Sequence, residues 1–219
     1  MRLIPLYCLA VLGAGMLGAQ PIQCPGQYRG HLQGIATDGK HIYWSFTVNL
    51  VTTDLSGNLL TNVPVRNHHG DLCYHDGKVY VAVNFGRFNT ENGADSHVYV
   101  YKADDLTLLA KYPVPELVHG AGGMEYYNGH FYVVGGLPKD HQQNYVYEYD
   151  EAFTFIKRHV IESGQTHLGI QTACFAHGSW WFGCYGKPAL LQCDPDLKLL
   201  GKHNFNTSVG LIVLPDGSL

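Results

Sequence analysis

From residue 31 onward, short apolar stretches alternate with clusters of turn-forming polar residues, and within many stretches the apolar positions recur at every second residue. A period of two places alternate side chains on opposite faces of a strand, whereas no stretch beyond residue 20 sustains the three-to-four spacing of a helix. The turns themselves repeat. A turn dipeptide, a polar residue and an apolar or aromatic pair recur as Asp38-Gly39-Lys40-His41-Ile42-Tyr43, Asp76-Gly77-Lys78-Val79-Tyr80, Asn128-Gly129-His130-Phe131-Tyr132 and His177-Gly178-Ser179-Trp180-Trp181. A fifth start, Asp216-Gly217-Ser218-Leu219, closes the sequence, and successive turns fall 38, 52, 49 and 39 residues apart. Asp-Gly and Asn-Gly favour two-residue hairpin loops because both central positions require positive φ.

Each repeat contains four strand-like stretches. In the second they cover 70–75, 79–84, 98–102 and 107–113, and in the third 123–127, 131–135, 145–149 and 154–161. An acidic turn joins the third and fourth stretch each time, at Asp54, Asp104-Asp105, Asp150-Glu151 and Asp194-Pro195-Asp196. Four short strands per unit of some forty to fifty residues predict an all-β chain folded as a β-propeller. The blades fall at 31–66, 67–115, 116–162 and 163–206, with 207–219 supplying the inner strand of a fifth. On this reading the chain is four complete four-stranded blades plus the start of a fifth, a five-bladed or larger propeller cut short, because an apolar strand at 209–214 should not be left with two open edges.

The first residues read differently. Met1-Arg2 is a short positive start, residues 3–17 form an apolar run, and Gly18-Ala19 offers small residues for cleavage. This predicts a signal peptide over 1–19, an extended segment over 20–30, and a mature chain that is secreted or periplasmic and carries no membrane span. Five cysteines follow the leader: Cys24, Cys73, Cys174, Cys184 and Cys193. The number is odd, so at least one is unpaired within the chain; a Cys184–Cys193 bridge is left open, and Cys73 and Cys174 read as small buried hydrophobes.

Composition narrows the function classes. With 46% hydrophobic and 15% charged residues the chain is not disordered, and six cysteines in 219 residues do not make a disulfide scaffold. A net charge of −4 argues against a nucleic-acid partner. Phosphate-binding loops, dinucleotide fingerprints, Gly-x-Ser-x-Gly elbows and paired Cys-x-x-Cys motifs are absent from the sequence.

Before the first Asp-Gly turn stands Gln33-Gly34-Ile35. With the repeated turns and strands of 31–219, this motif resembles the secreted propellers that include the plant and bacterial type of glutaminyl cyclase and the β-propeller repeat proteins of bacterial envelopes. The resemblance implies the fold and a weaker functional alternative, a glutaminyl-cyclase-like acyltransferase. It carries over no catalytic residue.

Histidines recur where the inner strands begin: His31, His68-His69, His119 and His167. In a propeller these starts surround one mouth of the central channel, and the loops joining second to third strands open on the same face. The long loops here run from 85 to 96 and from 137 to 144 and carry Arg87 and His141. Asp71 and Glu125 lie in inner strands and can face the channel, as general bases or as partners of the histidines. Two readings of His31, His69, His119 and His167 stay open: a metal centre taking Zn, Fe or Mn, or structural imidazoles beside glycine in the inter-blade loops. The leading function is a ligand-binding propeller whose mouth, formed by His31, His69, His119, His167, Asp71, Glu125, Arg87 and His141, takes a small molecule, glycan or peptide. The alternative is a metal-dependent lyase, hydrolase or oxygenase using the same histidines.

If every segment after the leader is strand or turn, far-ultraviolet circular dichroism of residues 20–219 should show β structure with almost no helix. A helical fraction above about a fifth would contradict the blade assignment.

Overall fold

The computed structural model describes residues 22–219; the leader expected over 1–19 and the first residues of the 20–30 segment lie outside the described residues. Four antiparallel sheets of four strands each form the four blades of a β-propeller, and no helix occurs among the described residues. Blade 1 contains β1 (Leu32–Thr37), β2 (His41–Phe46), β3 (Asn49–Asp54) and β4 (Leu59–Pro64). Blade 2 contains β5 (His69–His75), β6 (Lys78–Asn84), β7 (Ser96–Lys102) and β8 (Leu108–Pro113). Blade 3 runs through β9 (Ala121–Tyr127), β10 (His130–Gly135), β11 (Asn144–Tyr149) and β12 (Phe155–Ile161). Blade 4 consists of β13 (His167–Ala176), β14 (Ser179–Tyr185), β15 (Leu190–Cys193) and β16 (Leu199–His203). In every sheet the strands lie in chain order, each paired with the next by a hairpin.

Local chemistry accounts for the hairpins. Asp76-Gly77, Asn128-Gly129 and His177-Gly178 all adopt positive φ at both positions, as a tight two-residue loop requires. The first turn departs from this pattern. Only Gly39 has positive φ there, the ladder closes at Thr37 and Ile42, and the Asp38 carboxylate accepts the N–H groups of Lys40 and His41. At the outer hairpins an aspartate folds the turn in the same way. Asp54 accepts from Ser56 and Asn58, Asp150 from Ala152 and Thr154, and Asp194 from Asp196 and Lys198.

The core lies between blades rather than at the axis. Tyr43 and Leu50 of blade 1 pack on Leu72, Val79 and Val81 of blade 2. Ala82, Val98 and Val100 pack on Met124, Phe131 and Val133 of blade 3, and Val134 and Val146 on Trp180, Phe182 and Leu191 of blade 4. The edge strands are less demanding: β4 and β8 alternate between half-buried and exposed positions. All five described cysteines are free thiols, so the Cys184–Cys193 bridge is not formed.

At the axis, the inner strands meet backbone to backbone. A Cβ on Gly34 would overlap Asp71 of blade 2, one on Gly70 would strike the Gly122 carbonyl oxygen of blade 3, and one on Gly122 would stand 3.1 Å from the Ile170 carbonyl oxygen of blade 4. The segment after β16 continues this succession without becoming a strand, contrary to the inner strand expected over 209–214. Thr172 Oγ1 donates to the Thr207 carbonyl at 2.9 Å, and Gly210 sits against Ile35 of blade 1. Residues 207–213 thus fill the seam between blade 4 and blade 1 as an irregular segment with no sheet partner, turned at Ser208-Val209 by Gly210 N–H to Thr207 O. The turn expected at Asp216-Gly217 does form, closed by Leu214 N–H to Ser218 O at 2.8 Å.

Replacing Gly70 with Val should cost about 1–3 kcal/mol, because a backbone carbonyl cannot swing aside as a side chain would. Urea denaturation checks this against Gly77→Asn as control. Gly77 has open space around its Cβ position and positive φ, and there the loss should stay below about 1 kcal/mol.

Candidate ligand-binding mouth of the channel

The starts of the inner strands and the β6–β7 and β10–β11 loops gather at one end of the channel. The β6–β7 loop is knotted at its base by the buried Asn84, whose Oδ1 accepts Asp95 N–H at 2.8 Å and whose Nδ2 donates to Gly86 O at 3.1 Å. Its middle crosses to blade 3. Asn89 donates its N–H to His119 O at 3.0 Å and accepts Leu137 N–H on Oδ1 at 2.9 Å.

Two polar clusters result. In the first, the amide nitrogen of the buried Gln33 lies 3.1 Å from His31 Nε2, 2.9 Å from His68 Nε2 and 3.2 Å from Thr47 Oγ1. The Tyr185 hydroxyl of blade 4 reaches His31 Nε2 at 3.5 Å. Burial, followed by the nearby His31, holds His68 below the usual imidazole range and keeps it neutral. In the second cluster, Glu91 Oε1 lies 2.9 Å from His119 Nε2 and 3.1 Å from His141 Nε2. The Phe88 ring stands between the clusters, its centroid 5.2 Å from that of His68 and its edge against Gly120.

The structure distributes the residues singled out from sequence as follows. His31, His119 and His141 line the mouth, and Arg87 is exposed on its rim. His69 is wholly inside blade 2: Nδ1–H donates to Arg66 O at 2.6 Å and Nε2 accepts from Tyr101 at 2.7 Å. Burial lowers its pKa to about 4. His167 is exposed and lies against Gly186. Of the two readings of these histidines, the four-histidine metal set is not assembled, and His69 takes the structural role. Among the described residues, the one trio of metal-ligating type with its ligand atoms mutually within 4.8 Å is Glu91, His119 and His141. His68, Gln33, Thr47, Tyr185 and Glu91 were not singled out as site residues. The His68-His69 pair held a usable signal, because adjacent side chains in extended chain point to opposite sides and only one of the two can face the mouth.

Deeper in the channel stand two carboxyl groups. Asp71 is buried; its Oδ2 reaches across from blade 2 to accept Ala173 N–H of blade 4 at 3.2 Å, while Oδ1 has no partner. Burial pushes its pKa well above the carboxylate range, against the pull of the Ala173 N–H and helped by the charge of Glu125. Glu125 accepts Tyr126 N–H at 2.8 Å, and burial raises it to about 7. Beyond Asp71 the channel widens into a cavity of about 220 Å³ bordered by Glu125, Cys73, Cys174 and Leu211.

No family model matches this sequence, and no curated protein matches it. Solved structures do resemble it in fold. The glutaminyl cyclase of Myxococcus xanthus superposes with a TM-score of 0.64 at 14% identity, over 85% of this chain and 82% of that one. A chain of the nidogen/laminin complex gives 0.58 at 12% identity over 90% and 73%. A protein of unknown function from Bacteroides caccae gives 0.52 at 13% identity over 86% and 88%. At these identities the likeness establishes the propeller architecture and nothing finer.

The Glu125 carboxyl provides a pH test. Its folded pKa of about 7 exceeds the ordinary 4.5, so between these values the folded state binds more protons and its stability falls as pH rises. His69 acts oppositely, losing stability as pH falls from 6.5 toward 4. Comparing Glu125→Gln with the parent cancels the His69 contribution. The variant should gain on the parent from pH 5 to pH 8, by at most about 3 kcal/mol in urea denaturation. A difference that stays flat over this range would contradict the buried-carboxyl assignment.

Proposed function

We propose that this protein is a ligand-binding propeller that takes a small polar molecule, or the end of a peptide or glycan, at the mouth formed by His31, Gln33, His68 and Tyr185. The leader pattern at 1–19 makes it an exported protein in this reading. The observation that carries the proposal is the Gln33 amide, whose nitrogen faces three acceptors within 3.2 Å but has only two N–H groups. With the Tyr185 hydroxyl 3.5 Å from His31 Nε2, three donors share three acceptors, and a polar ligand entering where His31 is exposed can take the place of one of these bonds. A small apolar face on that ligand would rest against Phe88 and Tyr185.

Because one structural neighbour is a glutaminyl cyclase, the first probe is the dipeptide Gln-Gly, with glucose and free glutamine as comparison probes. Saturation-transfer NMR should detect at least one of the three bound. Gln33→Ala and His68→Ala should each weaken that binding at least tenfold, and His203→Ala on the outer strand β16 should not. Release of ammonia from Gln-Gly would add the acyltransferase activity to the reading. No transfer to any probe, or transfer indifferent to Gln33 and His68, would overturn it.

A further inference from the structure

The second cluster at the mouth has a geometry that hydrogen bonding alone does not require. Two imidazole nitrogens, His119 Nε2 and His141 Nε2, aim at the same carboxylate oxygen of Glu91 from 2.9 and 3.1 Å. Three separate segments supply the three side chains: the β6–β7 loop, the end of the connection into β9, and the β10–β11 loop. One residue locks these segments together. Asn89 donates to the His119 carbonyl and accepts from Leu137 N–H, two residues beyond the end of β10, so the ligand-bearing backbones are held before anything binds.

We propose that Glu91, His119 and His141 bind a divalent transition-metal ion. Metal–nitrogen and metal–oxygen bonds of about 2.1 Å place neighbouring ligand atoms roughly 3.0 Å apart at right angles and 3.4 Å apart in a tetrahedron. The two nitrogen-to-oxygen separations sit at the octahedral end of that range, and one ligand atom of each residue lies within 4.8 Å of the other two. An ion can take the place of the two ring protons with only small movements. Two imidazoles and one carboxylate suit Zn²⁺, Co²⁺, Ni²⁺ or Fe²⁺, whereas Ca²⁺ and Mg²⁺ prefer all-oxygen sets. Three protein ligands leave at least one position open, and the exposed Glu91 beside the half-buried His141 gives it access to solvent at the mouth.

The surroundings also set the affinity. When Nε2 holds a metal the ring proton sits on Nδ1, and Nδ1 of both His119 and His141 is buried without an acceptor. Loss of such outer partners weakens metal sites by about 10- to 100-fold, so binding in the micromolar range is expected rather than nanomolar. This assignment stands apart from the ligand reading above: the metal titration reads the ion directly, and a failed dipeptide experiment does not bear on it.

The test uses the chain without a polyhistidine tag, titrated calorimetrically with Zn²⁺ and followed by visible absorption with Co²⁺. One equivalent should bind per chain. Glu91→Gln and His141→Ala, both at solvent-accessible side chains, should each weaken binding at least tenfold, while thermal melts without metal confirm that each variant folds. His203→Ala should bind as the parent does. Absence of a stoichiometric site would overturn the proposal. So would a site that survives both substitutions, because the ion would then belong to other histidines.

Discussion

Everything in this molecule depends on how closely the inner strands approach one another. Gly34 against Asp71, Gly70 against Gly122, and Gly122 against Ile170 bring one blade's inner strand onto the next, the glycines adding no side chain of their own. Glycine at these places gives up strand propensity for contact, a trade that occurs where two backbones must touch. Where the inner strands lie this close, large apolar side chains have no room between them and are driven outward. The core therefore divides into clusters between blades 1 and 2, 2 and 3, and 3 and 4.

The same constraint governs the polar groups. Asp71 fits because Gly34 and Gly123 present no Cβ to it, and its carboxyl spans the channel to blade 4. A group so placed is cut off from water and favours its neutral form, and burial raises the pKa of the half-buried Glu125 nearby as well. The two carboxyls stand below the mouth, and at the other end of the channel Glu125 borders the cavity. Within blade 2, His69 satisfies both nitrogens inside the sheet and stays neutral; it contributes to stability, whereas its neighbour His68 faces the mouth.

The seam between blades 4 and 1 differs from the other three junctions. There Thr207 and Gly210 hold an irregular segment between the inner strands, and its Leu211 faces the cavity. On the outer side, Trp181, Leu190, Phe205 and Leu211 border an apolar groove of about 490 Å³. Where the other junctions interdigitate two full sheets, this one is bridged by a single strap of chain.

The hairpins were legible in the sequence because their causes are local. Asp76-Gly77 and Asn128-Gly129 specify their turns through the φ values their own residues allow, and the aspartates at 54, 150 and 194 fold theirs through bonds within four residues. Strand periodicity and the count of four per unit follow from the same short-range pattern, and so does the propeller. What the sequence could not show is where side chains more than a blade apart come together. Gln33 meets His68 across 35 positions, and Glu91 meets His119 across 28 and His141 through a separate loop. Their recurrence at the inner-strand starts left open whether the four histidines would converge on a metal or serve as structural imidazoles. Each strand's register and twist, however, turned His69 into its blade and left His167 outside on Gly186. The partners of a side chain are decided by the direction its backbone gives it, and that direction is fixed only once the blades have packed into a ring.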